Sequence, residues 1–250
     1  MDCSPGFHSL GPHVVRSLRE RAVELEKDTG LKISVSVLAP HPNLKTVSLS
    51  SSAPHPSLAS FADAKKSHDL VVVLSDYHAD AFPTYSFVPQ GKIVARFDAH
   101  GDADYPRDRK MDNSNYVYFA VNRPPLPGEH QFFASKIVNF GKPSKFTARL
   151  GADKSAKDAA MHSNIDTLSV DLDGFSPDEG LWVTHDQSDA KLEHVIGAAE
   201  ASAKGLKTLG IYEAIYDPHV YESEKNREFV AALANAVLEK KARAASSEKK

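Results

Sequence analysis

The chain has 250 residues, of which 41% are apolar and 25% charged, with a formal net charge of −3. These values fit one large α/β domain and speak against the basic excess of a protein that holds nucleic-acid phosphates or a membrane surface. A single cysteine, Cys3, excludes an intrachain disulfide. The first residues lack the charged-then-apolar order of a signal peptide, and no apolar run approaches a membrane span, so a cytoplasmic protein without nucleic-acid or membrane partners is expected.

In chain order, residues 11–28 carry Val14, Val15, Leu18, Ala22 and Leu25 at helical spacing, and Thr29-Gly30 closes that helix. Residues 32–38 alternate as a half-buried strand does. The Pro- and Ser-rich stretch 39–56 predicts a loop with a short strand near Val47, and 57–66 a short helix. The run 70–74 (LVVVL) is continuously apolar, as in a strand covered on both faces. Further strands are predicted at 92–97, 137–140 (stopped by Gly141), 167–170 and 206–212, with helices at 153–162, 187–203 and 223–243. Strands alternating with helices imply crossover units, hence a three-layer α/β/α fold with a mostly parallel central sheet. Residues 1–240 are expected to form one domain, and 241–250 a flexible charged tail.

The residues with chemistry follow the strands, where open α/β sheets bind ligands. Asp98, His100 and Asp102 are spaced by two in FDAHGD, and an extended segment would point them to one side. Gly101 offers a tight turn between them. Asp171 and Asp173 repeat the spacing in SVDLDG, and two carboxylates so close raise each other's pKa unless a cation separates them. His78 follows the first apolar strand, and Glu213 follows the last. Two histidines and four aspartates hold too many oxygens for a structural zinc site. They suit hard or borderline ions, manganese first, with Ni, Co, Fe or Zn as alternatives, and bridging carboxylates suit a pair of ions.

These segments resemble the ureohydrolase family of arginase, agmatinase, guanidinobutyrase and formimidoylglutamase. FDAHGD (97–102) is similar to its DAHxD motif, and SVDLDGFSP (169–177) to its SxDxDGxxP motif. LSDYHADAF (74–82) stands where the family has GGDHS, IVNFGKP (137–143) where it has a strand ending in a Gly turn, and IYEAIYDP (211–218) resembles its Glu-bearing segment. The motifs keep family order over residues 70–220. The resemblance implies two Mn2+ per chain, with Asp98 and Asp171 bridging. His78 and Asp102 would complete one ion's shell, and His100 and Asp173 the other's. Asp102 would also hold the bridging hydroxide and pass its proton to the leaving amine. Glu213 would pair with a substrate guanidinium, and Asn113, Asn115 and Thr184 would line the substrate pocket. The implied activity is hydrolysis of linear amidine C–N bonds in a small guanidino or formimino compound, releasing urea or formamide. The implied assembly is a homo-oligomer, a trimer or hexamer.

The chain departs from the family at three places, one being the absence of the GGDHS glycines from LSDYHADAF. Asn115 stands where the family carries a His thought to shuttle protons, and an amide cannot take that role. The Gly-rich loop after SxDxD is much shortened (residues 178–185). Two other readings follow: a non-catalytic relative serving as a binding or oligomerisation partner, and a deacetylase-like hydrolase, which shares this kind of fold and uses one zinc. Trp182 and His185 are further pocket candidates, and His130 is a candidate replacement for the missing His.

Overall fold

The computed structural model describes residues 11–38, 47–48, 58–75, 78–89, 91–102, 110–111, 116–117, 137–139, 163–181, 183, 187–212 and 224–247. Their elements are α1 (Gly11–Thr29), β1 (Ile33–Leu38), β2 (Val47–Ser48), α2 (Leu58–Ser67), β3 (Leu70–Ser75), α3 (Phe82–Ser86), β4 (Ile93–Phe97), β5 (Lys110–Met111), β6 (Ile137–Asn139), β7 (Ile165–Asp171), α4 (Leu192–Ser202), β8 (Thr208–Tyr212) and α5 (Glu224–Ser247). Every strand predicted from the sequence is present, shifted by no more than two residues at either end. The predicted helix at 153–162 lies outside the described residues.

Six strands form one sheet in the order β1-β3-β8-β7-β4-β6, and every neighbouring pair is parallel. β2 and β5 form a separate antiparallel pair. The chain builds β1 and β3, jumps to β4 and β6, then returns to fill the gap with β7 and β8. The central four strands therefore end side by side at the reversal, where such sheets open a crevice.

Strand alternation sends successive side chains to opposite faces. Leu70, Val72, Leu74, Ile93, Ala95, Phe97, Leu168, Val170, Leu209 and Ile211 join the apolar core beneath α1, α4 and α5. Val71, Val73, Val94, Ile137 and Tyr212 face the other way, against Phe61 of α2 and Phe82 and Tyr85 of α3. Two cores on two faces make the three layers. The helix α1 buries the predicted stripe of Val15, Leu18, Ala22 and Leu25 and stops where Gly30 takes a left-handed φ of 76°.

Two boundaries differ from expectation. The flexible tail expected from residue 241 is instead the last turns of α5, which continues to Ser247 with Lys241 and Ala242 buried. Lys241 is held there by an Nζ bond of 3.0 Å to the Lys204 carbonyl, so its charge ties the helix down. The helix predicted from 187 begins at Leu192. The preceding residues are drawn against the loop after β7, where the Ser188 N–H donates to the Asp173 carbonyl at 2.9 Å and the Ala190 N–H to the Gly174 carbonyl at 3.2 Å.

Candidate metal centre

Three strand ends supply the six predicted ligands. His78 opens a short 3-10 turn after β3, Asp98 follows β4 directly, and Asp171 is the last residue of β7. All of these except His100 and Asp102 are buried. The His78 Nδ1 lies 2.6 Å from Asp171 Oδ2 and 3.3 Å from Asp102 Oδ2, and its Nε2 is 3.3 Å from Asp98 Oδ2. The His100 Nδ1 lies 2.7 Å from Asp173 Oδ2 and 4.0 Å from Asp98 Oδ1. The donor atoms fall into two groups that share Asp98. One is His78, Asp98 and Asp102, the other Asp98, His100 and Asp173, each with donor atoms within 4.8 Å of one another.

Convergence comes from turns rather than from strand alternation, which corrects the sequence argument. Both strands end at or before the first Asp of each motif. Asp98 Oδ1 accepts the His100 N–H at 2.6 Å, and Asp171 Oδ1 accepts the Asp173 N–H at 3.2 Å. Each Asp thus binds its own backbone two residues on and folds the next ligand back. Gly101 does not provide the left-handed residue; Asp102 does, at φ 44°, a conformation Asp tolerates better than most side chains. The Val117 N–H donates to the Asp102 carbonyl at 2.9 Å and holds that turn. The two loops are locked together where the Ala99 N–H donates to Asp173 Oδ1 at 3.1 Å. Gly174 permits this approach, since a Cβ there would stand 2.5 Å from the Phe97 carbonyl carbon.

No protein-family model and no curated protein sequence matches the chain. Solved structures do match. The arginase of Bacillus caldovelox superposes with a TM-score of 0.60 at 18% identity, covering 95% of each chain. The agmatine ureohydrolase of Thermoplasma volcanium gives 0.57 at 15%, covering 74% of this chain and 66% of that one. The formimidoylglutamase of Bacillus subtilis gives 0.53 at 13%, covering 74% and 65%. The chain has the ureohydrolase fold. It spans just under two thirds of the agmatine ureohydrolase and of the formimidoylglutamase, and nearly the whole arginase.

Within this ureohydrolase fold the buried carboxylates call for a cation. Burial pushes the Asp98 and Asp171 carboxyls well above the usual range; Arg96 opposes that rise at Asp98, while Asp173 and Asp102 reinforce it at Asp171. Burial lowers His78 to about 4, so its imidazole is neutral, the form that ligates metal. The half-exposed His100 is raised to about 9, first by its hydrogen bond to Asp173. A metal arriving there would displace that proton. Carboxylate and imidazole donors in this arrangement fit a hard or borderline divalent ion.

Four residues around this candidate site were not singled out from the sequence. Arg96, two residues before Asp98 on β4, is fully buried. Its Nη2 donates to Asp98 Oδ2 and Asp102 Oδ2, its Nη1 to the His100 and Gly101 carbonyls at 2.9 and 3.2 Å, and its Nε to the Tyr116 hydroxyl at 3.0 Å. The Tyr116 hydroxyl also meets His78 Nε2 at 2.7 Å. Tyr212 stacks on the His78 ring at 5.4 Å, and Tyr85 donates to Ser169 Oγ at 2.8 Å beneath it. A charged residue inside an otherwise apolar strand, the Arg of KIVARF, was the one available signal; the tyrosines carried none. Glu213, Asn113, Asn115 and Thr184, with Trp182, His185 and His130, lie outside the described residues.

Proposed function

We propose that the chain is a metal-dependent hydrolase of linear amidine C–N bonds, acting on a guanidino or formimino compound, with manganese the ion its oxygen-rich donors favour. The observation that carries this reading is the group of Asp98, His100 and Asp173, already gathered at the ends of β4 and β7 and reached by solvent through His100, in a ureohydrolase fold. A divalent ion bound there lowers the pKa of a coordinated water and supplies hydroxide near neutral pH. Asp102, whose side chain is 11% exposed at the edge of the cluster, is the carboxylate assigned to receive the water's proton and return it to the leaving amine. Arg96 and the left-handed turn hold it in place. Glu213, next after the last residue of β8, is assigned to the substrate's guanidinium, because a carboxylate meets that group through two parallel hydrogen bonds. The sequence leads one to expect two ions, and the second would need the oxygens that Arg96 now engages. That contact favours a second reading, a one-ion hydrolase of amides.

The test is release of urea, ammonia or formamide by manganese-loaded protein from arginine, agmatine, guanidinobutyrate, guanidine and formiminoglutamate, beside acetylated amines. Turnover of a guanidino or formimino compound, lost in Asp98→Ala, supports the first reading. Turnover confined to acetylated amines replaces it with the second. Full activity in Asp98→Ala sinks both.

A further inference from the structure

We propose that Arg96 is a resident cation in the place of one of the metal ions, so that the chain holds a single divalent ion, at Asp98, His100 and Asp173. The inference rests on the metal-hydrolase reading and changes what that site is made of.

The two donor groups are in different states. In the group of His78, Asp98 and Asp102, one oxygen of each carboxylate is already held by a cation. Asp98 Oδ2 and Asp102 Oδ2 both accept from Arg96 Nη2. His78 Nε2 meets the Tyr116 hydroxyl at 2.7 Å, and its Nδ1 faces Asp171 Oδ2 at 2.6 Å. In the other group, the oxygens are Asp98 Oδ1 and Asp173 Oδ2, neither of which touches the guanidinium, and His100 is half-exposed. One carboxylate, Asp98, turns one oxygen to each group.

The guanidinium is fixed rather than passing. An arginine side chain has five N–H donors, and the contacts described above use all of them: two at Nη1, two at Nη2 and one at Nε. Its Cζ also lies 5.6 Å from the centre of the Tyr116 ring, which covers one of its faces. To admit a second ion, Arg96 would have to leave a fully buried pocket and abandon five bonds. If it stayed, a divalent ion would share two oxygens with a permanent positive charge. The backbone explains why the exchange is possible at all. Arg96 and Asp98 lie on the same side of β4 by the period of two, so the arginine rises from directly beneath the cluster. A guanidinium cannot polarise water as a metal ion does, so it holds the carboxylates in place without adding a second Lewis acid.

The experiment counts ions. Metal-free wild type, His78→Ala, His100→Ala and Arg96→Met, each checked for a native circular-dichroism spectrum, are titrated with Mn2+ by calorimetry. The loaded proteins are assayed by elemental analysis and by Mn2+ electron paramagnetic resonance. The expected result is one ion per wild-type chain with the hyperfine pattern of an isolated ion. That ion is retained in His78→Ala and lost in His100→Ala, and a second is gained in Arg96→Met. Two ions in the wild type, with an exchange-coupled spectrum, overturn the proposal and leave the metal-hydrolase reading standing. No ion in the wild type sinks both. An ion lost in His78→Ala but kept in His100→Ala overturns the assignment of its site, and a folded Arg96→Met that still holds one ion overturns the role of Arg96. If Arg96→Met does not fold, the wild-type count and the two histidine variants decide.

Discussion

The two faces of the central sheet use the same strands for opposite ends. Toward α1, α4 and α5 the strands present Leu70, Val72, Leu74, Ala95, Phe97, Leu168, Val170, Leu209 and Ile211, all apolar and all buried. Toward α2 and α3 the same strands alternate to Val71, Val73 and Val94 and, nearer their carboxyl ends, to the equally buried but polar Ser75, Arg96, Ser169 and Tyr212. Register brings that polar set into rows: Arg96 pairs with Ser169, Ser169 with Gly210, and Asp171 with Tyr212. Gly210 leaves the room that the Tyr212 ring fills, since a Cβ there would stand 2.2 Å from the Tyr212 hydroxyl. One face is thus held by removal of apolar surface from water, which is indifferent to direction. The other adds to its own apolar contacts a set of bonds around Arg96 that each need a partner in place. Function sits on the face where a wrong residue cannot be absorbed by repacking.

Substitutions on the two faces should separate stability from metal binding. The largest effect belongs to Asp98→Ala, which takes ligands from both donor groups and strands Arg96 as a buried charge. Activity and metal content should both fall to background, as elemental analysis and the substrate panel would show. Leu209→Ala, on the apolar face, should cost about 2–5 kcal/mol in urea unfolding while the folded protein keeps its full complement of metal. Loss of metal in that variant would mean the faces are not independent. Gly174→Ala lies between the two extremes. Its new Cβ would meet the Phe97 carbonyl and the Asp98 backbone nitrogen at 2.5–2.6 Å, so the loops must part. A stability loss of about 1–3 kcal/mol should come with weakened Mn2+ binding by calorimetry, and unchanged affinity would show that the loop contact does not set the ligand geometry. The smallest effect is acid sensitivity of the metal-free protein. His78 is held neutral in the folded state, at about 4 against an ordinary 6.5. Its contribution to stability is therefore complete above about 6.5 and is lost as pH falls toward 4. The slope it adds in that window is up to about 1.4 kcal/mol per pH unit. His78→Gln should flatten that slope in unfolding curves taken from pH 7 to pH 4.5.

The apolar face was fully legible in the amino-acid sequence, because a buried strand advertises itself by composition. The runs at 70–74 and 206–212 fell within two residues of β3 and β8. The gathering of the six candidate residues at strand ends was legible too, through two short motifs and His78. The means by which those ligands meet was not. Spacing by two pointed to strand alternation, whereas the chain uses backbone hydrogen bonds to Asp98 and Asp171 and a left-handed Asp102. Tyr85, Tyr116 and Tyr212 were invisible for another reason. Each matters only through a partner far away in the chain, and one sequence names residues without naming what they touch. The end of α5 was misread because a charged tail and a charged helix face have the same composition. Only the bond from Lys241 to the Lys204 carbonyl distinguishes them.

Strand order also governs how the chain comes to be folded as it is made. β7 and β8 lie between β3 and β4 in the sheet yet follow both in sequence. While the ribosome has released only the first 160 residues or so, β1 and β3 can join each other, and β4 can join β6, but the two ribbons have nothing to share. Their apolar edges stay unpaired until residues 165–212 arrive, which is the exposure that makes nascent α/β chains depend on holding factors. Asp98 and His100 wait for Asp173, which follows β7, over the same interval. A metal ion therefore cannot nucleate this fold; it can only lock a sheet that has already closed.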